Sequence, residues 1–398
     1  MAGIAALAVA YVLSQFFRSF LAVLTPVLSA EIGMTKSDLS AASGAYFIVF
    51  ALAQFAVGVS LDRLGPRRTA ALMLAVAGGG GALLFAAATT PWMVIAAMGL
   101  IGLGCAPILM GSLFIFAKSF SPARFAVLAS WMVAFGTAGN VLGAAPLASA
   151  AEAFGWRSVM LGLAALTLLV AVAVAVLVRD PAHDDDRPAD TGLSGYAELL
   201  RIPVLWAIIP LTAVTYAPSL GIRGLWAGPY LEDVYGADAL LIGRVTLFMA
   251  FGMVAGALAY GPLDVFFGTR KWVAVGGNLI SLAALAFLAI WPQSDLVVTT
   301  IVLIVIGISG ASYGLLMAHA RAFFPKHLVG RGVTLMNFFS IGGIGVLQFA
   351  TGAVVTGSSV PGDPSNAYQV LFIFYSALLG LAILTYLPSR DAKPVHVR

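Results

Sequence analysis

Two arginines stand where a basic side chain is costly: Arg18 about two-thirds along the apolar stretch 4–28, and Arg223 similarly along 204–231. A guanidinium at the centre of a membrane helix costs about 2.5–3.5 kcal/mol on insertion scales, so each should face a polar cavity or a partner. All seventeen acidic residues lie in loops or at the ends of apolar stretches, so no carboxylate at depth can serve as that partner. An anionic ligand is the simplest compensation, because the planar fork of donors fits a carboxylate or phosphate. The surroundings recur: Tyr11, Ser14 and Arg18 reappear as Tyr216, Ser219 and Arg223, all at an offset of 205. Spacings of three, four and seven place each set on one helical face. The alternative is that the arginines bond to backbone carbonyls and brace their helices, with Gly221 and Gly224 permitting a kink at Arg223. Gln15, Tyr46 and Tyr313 are expected beside the arginines as lining groups, whereas Asn140, Asn337 and Gln348 are expected to bond between helices. A proton relay without a deep carboxylate would use an end carboxylate, the substrate's own titration or His319, which lies two residues before Arg321 and reads as an interfacial histidine.

These groups must be positioned by membrane helices. The chain has 398 residues, 61% hydrophobic and 10% charged, with a mean hydropathy of +1.00. A soluble domain carries roughly 25% charged residues, so a soluble protein is excluded. Twelve apolar stretches are long enough to span: 4–28, 40–60, 69–88, 92–117, 125–150, 157–178, 204–231, 240–261, 272–291, 296–322, 329–356 and 368–387. The first lacks a basic leader and is too long for a cleaved signal, so it reads as span 1. Arg179 to Arg201, with Asp184, Asp185, Asp186, Pro181 and Pro188, reads as a linker. The expected division is therefore a first half at 1–178, a cytoplasmic linker at 179–203 and a second half at 204–398. With both termini cytoplasmic, only Lys36, Arg157 and Arg244 fall outside and Arg18 and Arg223 fall within spans, leaving sixteen of 21 basic residues inside. The net charge of +4 is thus topogenic, and no nucleic-acid partner is implied. A bacterial inner membrane, a monomer, and no metal or other cofactor are expected. Neither a phosphate-cradling loop nor a metal-ligand cluster is present in the sequence, so no enzyme is expected, and the lone Cys105 reads as a core residue.

The two sets of six spans read as copies. At an offset of 203, Gly65, Arg67, Arg68, Lys118, Phe120 and Pro122 match Gly268, Arg270, Lys271, Arg321, Phe323 and Pro325; Asp62 matches Asp264 at 202. A charged loop and a Phe-x-Pro exit recurring at nearly one offset mark an internal duplication.

The loop after span 2, Gly58-Val-Ser-Leu-Asp62-Arg63-Leu-Gly65-Pro-Arg67-Arg68, resembles the G-x-x-x-D-R-x-G-x-R-R signature of the major facilitator superfamily. Asp264-Val-Phe-Phe-Gly268-Thr-Arg270-Lys271, between spans 8 and 9, is similar to its degenerate second copy. The resemblance implies an all-α membrane protein of twelve transmembrane helices in two pseudo-symmetric six-helix bundles, working by alternating access. It implies a gating role for Gly58, Asp62, Arg63, Gly65, Arg67 and Arg68, and for Asp264, Gly268, Arg270 and Lys271. Spans 1 and 7 resemble the cavity-lining helices of that family, whose organic-anion carriers also place arginines there. The expected function is therefore transport of a small organic anion, carboxylate or phosphate-bearing, by uptake. Proton-coupled efflux is the first alternative, disfavoured because span 5 lacks the G-P-x-x-G-G element of such exporters and because paired arginines repel cations. A transporter-like ligand receptor is the second.

Overall fold

The computed structural model describes residues 2–180, 194–325 and 328–392, without the side chains of Asp62, Pro122, Ala123, Ala126, Val127, Ser130 and Ser194. Arg187, Lys326, Lys393 and Arg398, four of the expected inner basic residues, lie outside it, as do Asp184 to Asp186. Among the described residues, ten helices are long and apolar enough to cross a membrane, and two bent pairs bring the number to twelve. The pairs are Ala2–Phe16 with Leu21–Ile32, bent by 53°, and Trp131–Leu142 with Ala145–Phe154, bent by 43°; they are spans 1 and 5.

The helix boundaries follow from local chemistry. Proline opens the helices at Pro66, Pro91, Pro122 and Pro203, where its missing N–H costs nothing. Thr35 opens span 2 (Lys36–Arg63) with a capping box to Asp38, and Asp238 accepts from Leu241 N at 2.8 Å to open span 8 (Ala239–Phe267). Many large apolar side chains face outward, among them Leu72, Val76, Val176, Leu258 and Phe266, each at least 59% exposed. That is the surface lipid tails would cover.

The chain divides into two compact units, Met1–Thr191 and Gly192–Arg398, each holding six spans. The polar segment between spans 6 and 7 is not wholly irregular, since Ser194–Leu200 forms a helix in the second unit. The signature after span 2 is also more helical than its reading as a loop: the helix continues to Arg63, and only Leu64 and Gly65 separate it from Pro66. No breaker precedes Gly65, whose φ of +83° only glycine adopts readily; Gly268 repeats it at +64°.

The sixth span of each unit ends in an Arg-Asp pair that caps the third. Asp180 accepts from Arg67 N at 2.8 Å and approaches Arg67 Nε at 3.6 Å. In the second unit Asp391 accepts from Arg270 N at 3.2 Å, Lys271 N at 3.0 Å and the Thr269 hydroxyl at 2.5 Å. A carboxylate on free N–H groups at a helix start satisfies donors and the helix dipole together. Burial pushes the Asp391 carboxyl up, but its hydrogen bonds and the nearby His319 outweigh this and hold it below the ordinary value. A depressed carboxyl stabilises the fold above its unfolded pKa, and the gain is lost as pH falls through the folded value. Asp391→Ala should therefore cost about 0.5–2 kcal/mol at pH 7, read as a lower melting temperature, with the gap to wild type closing below about pH 4.

Candidate functional site

In the first unit, Arg18 lies in the break of span 1. Phe17 to Phe20 separate the two helical pieces, and the chain tightens there through Arg18 N to Gln15 O at 3.3 Å and Ser19 N to Phe16 O at 3.0 Å. The Ser19 hydroxyl adds a bond to Phe16 O at 3.4 Å, a side-chain competition that bends helices. The Arg18 guanidinium stands over the Phe50 ring of span 2, 4.6 Å from its centroid, and lies close to Tyr46. Tyr46 in turn donates to Ser14 O at 3.2 Å and stacks on Phe50. The buried Cys105 of span 4 adjoins Ser14 and Tyr46. Tyr11 and Gln15 form a separate pair, with Gln15 Nε2 donating to Tyr11 Oη at 2.9 Å and Tyr11 packed against Gly136 of span 5. Thus Ser14, Arg18 and Tyr46 come together, while Phe50 and Cys105 complete a group that apolar type alone conceals in the sequence.

Arg223 of the second unit is fully buried, within a π-helical turn. Span 7 is built from Pro203–Val214, Ala217–Gly221, the π turn Ile222–Trp226 and Ala227–Tyr235. Pro218 explains the first interruption: it has no N–H for Val214 O and its ring crowds that carbonyl. A polar knot holds the interruption, with Thr215 Oγ1 donating to Asn278 Oδ1 at 2.6 Å and lying 2.8 Å from Ser312 Oγ, and Asn278 Nδ2 donating to Ser312 Oγ at 3.2 Å. Span 11 (Val329–Gly357) braces the π turn on both sides of Arg223. Gln348 Nε2 donates to Gly221 O at 3.4 Å, and Trp226 Nε1 donates to Thr351 Oγ1 at 2.9 Å. Tyr216 lies close to Arg223 and stacks on Tyr313, whose hydroxyl donates to Asn337 Oδ1 at 2.8 Å. Tyr216, Arg223 and Tyr313 are therefore neighbours; Ser219 instead packs on Gly310 of span 10.

Of the two expected stripes, Ser14 lies with Arg18 and Tyr216 with Arg223, whereas Tyr11 bonds Gln15 and Ser219 packs on Gly310. Both arginines occur where regular helix is interrupted, so spacings of three, four and seven no longer fix a common face. Asn337 and Gln348 do bond between helices.

His319 is buried within the protein, beside the loop-end residues Arg390 and Asp391. Its Nε2 lies 2.8 Å from Arg390 O, an acceptor only, and therefore carries the proton; Nδ1 accepts from the Tyr386 hydroxyl at 2.6 Å. The histidine ties span 10 to the end of span 12, beside the Asp391 cap. Of the signature residues, the Asp62 side chain lies outside those described, and Arg63 and Arg68 are exposed. Asp264 pairs with Arg270 Nε at 3.2 Å.

The sequence model of the Major Facilitator Superfamily matches residues 7–243, more than half of the chain. The chain belongs to that superfamily. A relative, the probable L-galactonate transporter of Escherichia coli (strain K12), is 22% identical over 418 residues, covering 95% of this chain and 86% of its own. Among solved structures, a bacterial homologue of the human lysosomal transporter Spinster, inward-facing and unoccupied, superimposes with a TM-score of 0.75 at 17% identity over 98% of both chains. The nucleoside transporter NupG gives 0.76 at 14% identity over 98% of this chain and 100% of its own. A D-xylose-proton symporter gives 0.76 at 14% over 98% and 97%. At these identities the structures establish the shared facilitator fold. The protein is a multi-pass membrane transporter of the superfamily.

Proposed function

We propose that this transporter takes up a small organic anion, carboxylate or phosphate-bearing, across a bacterial inner membrane by alternating access. Arg18 and Arg223 receive the anionic group, with Ser14 and Tyr46 beside the first and Tyr216 and Tyr313 beside the second supplying hydrogen bonds or ring contacts. The observation that carries this reading is the duplicated arginine, each copy at an interruption of its span. Interrupted membrane helices present backbone and side chains to ligands where regular ones do not. The relative named for L-galactonate, a carboxylate, supports the anion class. The signature residues Gly58 to Arg68 and Asp264 to Lys271 gate the cycle, and the exchange of their ion pairs and helix caps accompanies the change of access.

A thermal-shift screen of purified protein tests the reading, with carboxylates, phosphates, neutral sugars, nucleosides and cationic dyes as ligands. An anion at 100 times its dissociation constant should stabilise the protein by about 2.7 kcal/mol. Stabilisation by neutral or cationic compounds alone, or an equal response from well-folded Arg18→Ala and Arg223→Ala variants, would overturn it.

A further inference from the structure

A groove of about 430 Å³ opens at the surface of the first unit, between spans 3 and 6. Its floor is made of small side chains, Ala71 and Ala75 from span 3 and Ala171 and Ala175 from span 6, and its loop end is closed by Arg67 and Arg68. The walls are lipid-facing: Leu72 is 59% and Val172 60% exposed, and Val176 beyond them 71%. Arg68 is exposed, and the Arg67 side chain remains 36% exposed although Asp180 lies 3.6 Å from its Nε. The site therefore combines an apolar furrow, open to hydrocarbon along its length, with two guanidinium groups at the level where a span meets its loop. Charge and shape select one kind of occupant. A free inorganic anion would leave the furrow empty, and a neutral-headed lipid would bring no net charge to the arginines.

We propose that this groove binds an acidic phospholipid, its phosphate held by Arg67 and Arg68 and one acyl chain lying against the four alanines. Basic pockets between helices on the side that carries the positive loops recognise such head groups. A guanidinium suits a phosphate because its donors form a fork. Because Arg67 also contacts Asp180, which caps span 3, a lipid here would bear directly on the loop between spans 2 and 3.

The test uses the full chain, purified and exchanged into detergent containing equal amounts of phosphatidylglycerol and phosphatidylcholine, with retained lipid counted by native mass spectrometry. Wild type should retain phosphatidylglycerol over phosphatidylcholine by about tenfold or more. The double variant Arg67→Gln/Arg68→Gln should lose that preference. A second variant, Ala171→Phe/Ala175→Phe, keeps both charges and fills the furrow; it should retain at least about threefold less phosphatidylglycerol. Equal retention of the two lipids by wild type would overturn the proposal. So would unchanged retention in either variant, or displacement of the lipid by an excess of inorganic phosphate, which would mark a site for a free anion. None of these readouts depends on the transported substrate.

Discussion

Arg223→Ala is expected to lower uptake of the transported anion by about 30- to 1000-fold while leaving a folded protein. A bidentate, charge-assisted contact in a desolvated site is worth roughly 2–4 kcal/mol, which converts to that range. The arginine is fully buried, so screening by water weakens the interaction little. Its backbone is held independently by Gln348 and Trp226, so truncation should not collapse the turn. Arg223→Lys should recover only part of the loss, because an ammonium keeps the charge and not the fork. Arg18→Ala should cost less, since Arg18 is partly exposed and leans on Phe50. The check is initial uptake into proteoliposomes at matched protein content, with melting temperature as the folding control. Normal uptake by Arg223→Ala would make the arginine a brace for span 7 and nothing more.

Gly104→Leu is the second large effect, and it falls on folding. Span 4 (Pro91–Ser119) crosses span 3 so closely that a Cβ at Gly104 would overlap the Gly78 backbone nitrogen and come within 2.9 Å of Met73 O. These neighbours are main chain, which cannot move aside as a side-chain tip can. Overpacking a tight core costs about 1–3 kcal/mol even where side chains can adjust, so the cost here should reach or exceed about 3 kcal/mol. Gly80→Leu is the matched control, two residues from Gly78 but with nothing within 4 Å of its Cβ position. Fluorescence-detected size exclusion and thermal unfolding should show the Gly104 variant aggregated or strongly destabilised and the Gly80 variant close to wild type. A Gly104 variant that elutes and melts like wild type would contradict the crossing.

The twelve spans and their duplication were legible because hydropathy and loop charge are local properties of sequence. The interruption at Arg18 was not, and the one at Arg223 showed only as the kink that Gly221 and Gly224 permit, with Pro218 beside it. Proline alone does not mark a break, for Pro26, Pro107, Pro210 and Pro262 all lie inside continuous helices. What decides is how neighbours hold the break: the Gln348 amide donates to Gly221 O, and Asn278 and Ser312 tie down the Thr215 side chain, partners that come from other spans. Grouping each arginine with its tyrosine and serine by helical spacing assumed an unbroken helix, which is why Ser219 was placed with Arg223 rather than against Gly310. The position of His319 near Arg321 is plain in the sequence, but its burial is not, because it depends on Tyr386 and Arg390 at the far end of the chain. The capping acids carried a signal that a single-offset comparison passes over: Arg179-Asp180 and Arg390-Asp391 follow the two sixth spans at an offset of 211, not 203.

The most direct test of the anion reading is uptake competition in proteoliposomes using matched pairs, each a carboxylate or phosphate beside the neutral compound of the same carbon skeleton, such as galactonate beside galactitol. The account predicts that at least one anion is transported, that its neutral partner neither competes nor accumulates, and that Arg18→Ala and Arg223→Ala each weaken the discrimination. Equal transport of both members of a pair, with the same rates in both arginine variants, would contradict it.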